Sequence, residues 1–197
     1  MTLPLLLFLF AAPFWEAKTP ADWTENELEQ LFTDSPWAQM VTAPGRAAPA
    51  PSVQVYLATA ALMEQAERER DRRYREKRPA SAPDVLAEDY QAWLKENRET
   101  QIVLAVRMAT NAGFFDEREV RRMEEECVMR VGRKKFKTTG HFPPSAGDPY
   151  LRLAFPREVQ SRDKTVVFEL YLPGVPIPER EVEFSVKEMM VRGKLEM

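Results

Sequence analysis

The chain has 197 residues, 44% hydrophobic and 30% charged, a balance that excludes a wholly disordered protein or one made of membrane spans. A formal net charge of −3 excludes a strong non-specific pull toward nucleic acid, so no nucleic-acid partner is expected. One cysteine, Cys127, and one histidine, His141, are too few for a Cys/His zinc site and exclude an intramolecular disulfide; no cofactor or metal is expected.

Leu3 to Trp15 is almost wholly apolar. Thirteen residues are too few to cross a bilayer as a helix, which takes ~20. The run fits the core of a secretory signal peptide, ~7–15 residues long. Residues 1–17 are therefore expected to be a signal peptide, and the chain to be periplasmic or secreted. The mature chain would then carry no transmembrane helix. Two details fit imperfectly. No Lys or Arg precedes the run, and cleavage after Ala17 puts Trp15 where a small residue is preferred.

Residues 18–42 read as a helical docking segment. Thr24 and Glu27 have capping-box spacing, and Trp23 and Leu28 sit at the staple positions. Leu28, Leu31 and Phe32 share the apolar face. Ser35-Pro36-Trp37-Ala38 is expected to start a second short helical turn, with Pro36 at its first position. Residues 43–52, rich in Pro and Ala, read as an extended, semi-rigid linker.

Residues 53–197 are expected to form the main domain. Val53 to Thr59 alternates as a strand. Ala61 to Lys77 is a charged helix with a short apolar patch at Leu62, Met63 and Ala66. Ser81 and Asp84 can cap a helix whose apolar face is Leu86, Tyr90, Trp93 and Leu94. Ile102 to Val106, apolar on both faces, predicts a central covered strand. Asp116 and Glu119 mark the next helix start, with Phe115 and Val120 at staple spacing and Val120, Met123 and Cys127 on one face. Strands follow at Val128 to Thr138, Tyr150 to Phe155, Thr165 to Leu172 and Glu181 to Leu195. In the last, the apolar phase flips after Glu188, which requires a bulge or a turn. The fold class is α+β: a mainly antiparallel sheet of five or six strands with two or three packed helices, preceded by a short helix and a Pro/Ala linker.

Trp23, Leu31 and Ser35-Pro36-Trp37-Ala38 at the front resemble a family of exported acidobacterial proteins of unknown function. So do Phe155-Pro156-Arg157, Phe184-Ser185-Val186-Lys187-Glu188-Met189 and Gly193-Lys194-Leu195-Glu196 at the back. The resemblance implies export and a bacterial source. It implies no activity, and its motifs are structural.

Candidate chemistry is sparse. Cys127 could pair with His141 as nucleophile and base, but it continues an apolar helix face, which makes it a buried hydrophobe. There is no Gly-x-Ser-x-Gly elbow and no glycine-rich phosphate loop. Glu124, Glu125 and Glu126 point three ways from one helix. Between Glu64 and Arg78 the pairs Glu64/Arg68, Glu69/Arg73 and Asp71/Arg75 describe a solvated, pair-laced helix. Arg72, Arg73 and Arg75 on that helix, and Arg133, Lys134 and Lys135 on a strand, are the possible contacts to an envelope protein or an anionic surface. Trp37 joins them as the tryptophan without an assigned packing role. The chain is not expected to be an enzyme. A noncatalytic cell-envelope interaction module leads the readings. A periplasmic carrier of a small apolar ligand, or an enzyme of unrecognised type, stand behind it.

Overall fold

The computed structural model describes residues 12–44, 52–77 and 84–197. Most of the expected signal peptide, most of the expected linker and Ser81 lie outside the described residues.

The chain opens with helix α1 (Phe14–Ala17) and a 3-10 turn (Pro20–Asp22). Helix α2 (Glu25–Thr33) begins as its sequence predicts. The Glu27 backbone N–H donates to Thr24 Oγ1 at 3.1 Å, and the Thr24 N–H donates to Glu27 Oε2 at 2.8 Å. Trp23 and Leu28 are both buried.

The residues expected to start a second helical turn instead reverse the chain between β1 (Asp34–Ser35) and β2 (Ala38–Thr42). Ser35 serves that reversal. Its hydroxyl donates back to the Leu31 carbonyl at 2.8 Å and accepts from Trp37 N at 3.3 Å. Burial of Trp37 and Ala38 in the sheet outweighs the local helix signal.

Next come β3 (Ser52–Leu57), α3 (Ala61–Lys77), α4 (Val85–Asn97), β4 (Gln101–Arg107), a 3-10 turn (Ala112–Phe115) and α5 (Glu117–Glu126). The rest is β: β5 (Val128–Val131), β6 (Lys134–Lys137), β7 (Gly140–Phe142), β8 (Tyr150–Pro156), β9 (Thr165–Tyr171), β10 (Glu179–Ser185), β11 (Met190–Val191) and β12 (Lys194–Leu195). The fold is α+β, with a six-stranded antiparallel sheet in the order β1-β2-β3-β4-β8-β7. A second antiparallel sheet runs β10-β9-β5-β6, and β11-β12 is a small hairpin.

Register sorts the six-stranded sheet into two faces. Tyr56, Ala105, Arg152 and Phe142 lie in one row across β3, β4, β8 and β7. That face meets the helices: Phe32 of α2 stacks on Tyr56, and Tyr90 and Trp93 of α4 meet Phe142. The opposite face meets the second sheet, where Phe155 packs on Phe168 at 5.2 Å. Strand β4 is thus covered on both sides, and Ile102 to Val106 are all fully buried. Helix α5 packs against β9.

Two local expectations change. Asp116 caps α5 by accepting from Arg118 N at 2.9 Å, and Phe115, expected as its staple, is 81% exposed. The phase flip near Glu188 is a turn, which separates β10 from the β11-β12 hairpin. That hairpin reverses through Arg192 and Gly193, both at positive φ.

Candidate functional site

The densest ionisable cluster is made by α3, β3, β8 and the segment before β8. Helix α3 carries Glu64, Glu67 and Arg70 at spacings of three, so they share one face. That face also holds Met63 and Ala66, so it packs on the sheet and carries its carboxylates inward.

Glu67 Oε1 accepts from Tyr56 Oη at 2.5 Å and from Arg152 Nη1 at 2.8 Å. Arg152 Nε donates to Asp148 Oδ2 at 3.0 Å, and its guanidinium lies 4.2 Å from the centre of the Tyr90 ring. Arg70 Nη1 donates to Tyr150 Oη at 2.9 Å and stacks over Phe32 at 4.4 Å. Tyr150 Oη donates on to Gln54 Oε1 at 3.3 Å, and Gln54 Nε2 donates to the Phe32 carbonyl at 2.8 Å. The chain of bonds ties strands β3 and β8 and helices α2 and α3 together.

Burial governs the protonation of these groups. It pushes the Tyr56 phenol well above its ordinary range, and the neighbouring Glu67 charge adds to the rise. It raises Asp148, against the opposing pull of Arg152. Burial alone would lower the Arg152 guanidinium, but the facing Glu67, Tyr56, Tyr90 and Asp148 hold it well above its ordinary value. Arg152 and Glu67 are 3% and 6% exposed, so the pair forms an electrostatic bolt closed off from solvent.

The residues singled out from sequence are scattered. Trp37 is 1% exposed, and its indole donates to the Glu196 carbonyl at 2.6 Å, so it offers no surface to a partner. Arg72 is held by Glu69 and Glu76, and Arg73 by Glu69, Glu25 and the Trp23 carbonyl. Arg75 donates to the Asp71 carbonyl oxygen, where the sequence predicts a pair with the Asp71 side chain. Lys135 pairs with Glu169 at 2.9 Å. Arg133 and Lys134 are exposed at the tip of the β5-β6 hairpin, as is Lys137 at its far end; none of the three makes an ion pair among the described residues. The two basic groups sit on different elements, one in the helical layer and one on the edge of the second sheet.

Cys127 and His141 do not form a catalytic pair. Cys127 is fully buried after α5, and burial pushes its thiol up to about 11. Its sulfur accepts from Tyr171 N at 3.3 Å. His141 instead places Nδ1 3.3 Å from Glu124 Oε1.

Sequence reasoning missed the Glu67–Arg152 bolt. The signal was there in α3: Glu64 and Glu67 recur on the stripe of Met63 and Ala66, where a solvated helix would not place acids. The partners Tyr56, Asp148 and Arg152 lie far away in sequence and could not be assigned. The chain matches no protein-family model, no curated protein and no solved structure.

Proposed function

We propose that the protein is a noncatalytic interaction module of the bacterial cell envelope, exported through its apolar N-terminal run, and that it meets an acidic partner protein through the β5-β6 hairpin. The observation that carries this reading is the division of charge. The convergent ionisable groups are spent inside the fold on one another, whereas Arg133, Lys134 and Lys137 stand exposed and unpaired among the described residues of a chain with net charge −3. Unpaired cations on a rigid two-residue hairpin cost little to bring to an acidic surface, because the backbone is already ordered. They also guard the edge of the second sheet against strand addition, so the contact is made through side chains.

The test is crosslinking in the native host with a photoreactive residue at Gly132, compared with the same protein carrying Arg133→Glu, Lys134→Glu and Lys137→Glu. The expected result is an adduct in the envelope fraction that disappears in the triple variant at unchanged melting temperature. An adduct that survives the charge reversal removes the hairpin from the interface. Recovery of the chain from the cytosol alone overturns the envelope assignment.

A further inference from the structure

Three turns at one end of the second sheet collect exposed cations. Phe184, Val166, Val131 and Lys134 form one row across β10, β9, β5 and β6. Just beyond that row the strands run into the turns. Arg133 stands in the β5-β6 turn, next to Lys134. The segment leading into β9 carries Arg162 and Lys164, and the turn after β10 carries Lys187. Val186 N donates to the Lys164 carbonyl at 3.0 Å, which sets the last two segments side by side. All five cations are exposed, and none makes an ion pair among the described residues. Two carboxylates share these turns, Asp163 and Glu188, and Asp163 Oδ2 accepts from Gln160 N at 2.7 Å. The last acid of β10, Glu183, lies in the row of Arg130 and Lys135. The strand ends thus hold a surplus of positive charge in a chain whose net charge is −3.

We propose that this end of the sheet is one docking surface, and that its occupant is an acidic linear segment of a partner protein laid across the strand ends. This rests on the hairpin reading above and extends the contact from the β5-β6 turn to Arg162, Lys164 and Lys187. The turns hold the cations in place before binding. Gly132 takes a φ of 57°, which lets β5 reverse tightly into β6. Asp163 N donates to the Gln160 carbonyl at 2.9 Å, and Glu188 N donates to the Ser185 carbonyl at 3.2 Å. Ordered backbone lowers the entropy lost on binding. The size of the end sets the length of the segment. Strands ~4.8 Å apart make four of them ~14 Å across, and an extended chain advances ~3.3 Å per residue, so about four or five residues cover it. The chemistry of the end favours carboxylates. None of the three turns carries an exposed large apolar or aromatic side chain, so the end has no wedge for a bilayer and no platform for a base.

The experiment follows dye-labelled hexaglutamate by fluorescence anisotropy at low salt. It compares the full chain, the variant Lys164→Glu with Lys187→Glu, and Lys95→Glu, an exposed lysine on α4. The expected results are saturable binding to the parent, binding about tenfold weaker in the double variant, and binding within about twofold of the parent in Lys95→Glu. Salt at ~0.5 M should abolish the signal. Absence of binding, or equal weakening by Lys95→Glu, overturns the proposal. So does flotation of the parent with phosphatidylglycerol vesicles when hexaglutamate does not bind, which makes the occupant a lipid. A parent dimer in light scattering that the double variant dissolves makes the occupant a second copy, and also overturns it. Crosslinking from Gly132 in the native host separates this inference from the hairpin reading. The adduct should be lost in the double variant too. An adduct lost on reversal of the hairpin cations but kept in the double variant overturns the wider surface and leaves the hairpin reading standing. An adduct that survives both overturns both.

Discussion

Replacing Arg152 by Met leaves Glu67 and Asp148 facing a space that no longer holds a cation. Breaking a buried ion pair by removing one partner costs ~3–5 kcal/mol, because the remaining charge is desolvated and unpaired. Here Tyr56 still donates to Glu67 at 2.5 Å, and the Asp148 side chain is 20% exposed, so the cost falls at the lower end, about 3 kcal/mol. At ~2–4 °C per kcal/mol for a chain of this size, Arg152→Met should melt about 10 °C below the parent. Glu67→Leu should cost about 2 kcal/mol, since Asp148 still pairs with Arg152. The double variant removes both charges and should be more stable than the two losses added together, by ~1–3 kcal/mol. Urea denaturation followed by circular dichroism measures all four corners of the cycle. If Arg152→Met costs under ~1 kcal/mol, or if the two single losses simply add, the bolt is not the structural element argued above.

Glu69 is held down to about 2 by hydrogen bonds from Arg72 and then Arg73, so its contribution is present above its ordinary value near 4.5 and is lost as pH falls toward 2. Glu69→Gln should therefore flatten the dependence of melting temperature on pH between about 4.5 and 2; an unchanged slope refutes this. The Cys127 thiol, pushed up to about 11 by burial, should resist a thiol reagent at pH 8 until the protein unfolds, and Cys127→Ala should cost ~1 kcal/mol; rapid labelling of the folded chain would count against it. A Cβ added at Gly113 would sit 2.3 Å from the Pro173 carbonyl carbon, so Gly113→Ala should cost ~1–3 kcal/mol in urea denaturation, whereas Gly140→Ala, which meets nothing within 4 Å, should cost under ~1 kcal/mol. Deleting residues 1–43 removes β1, β2 and the buried Trp23, Leu31, Phe32 and Trp37, and should yield insoluble chain; an unchanged melt would make the segment a detachable arm.

What was legible in the sequence was whatever local periodicity and capping decide. The Thr24–Glu27 box, the span of α3 and the doubly covered strand β4 are all set by residues within a few positions of one another. What was not legible depended on distant partners. Trp37 looked free because the carbonyl it bonds belongs to Glu196. Glu67 looked solvated because its guanidinium lies on β8. The division of the strands between two sheets was equally hidden, since β5 pairs with β9 across more than thirty residues while β8, between them in sequence, joins the other sheet. Phe115 failed in the opposite sense: its spacing promised a staple, but the turn before α5 holds the ring outward.

The bonds from Trp37 to Glu196 and from Gln39 to Glu183 join residues 159 and 144 positions apart. Contacts of such separation form late, because the loop between them must be closed first. At a synthesis rate of ~5–20 residues per second, the two partners of the longer bond are made roughly 10 to 30 s apart. Throughout that interval the front segment has no docking partner at the back of the chain. The front segment cannot complete its docking until residues 183–196 have been made.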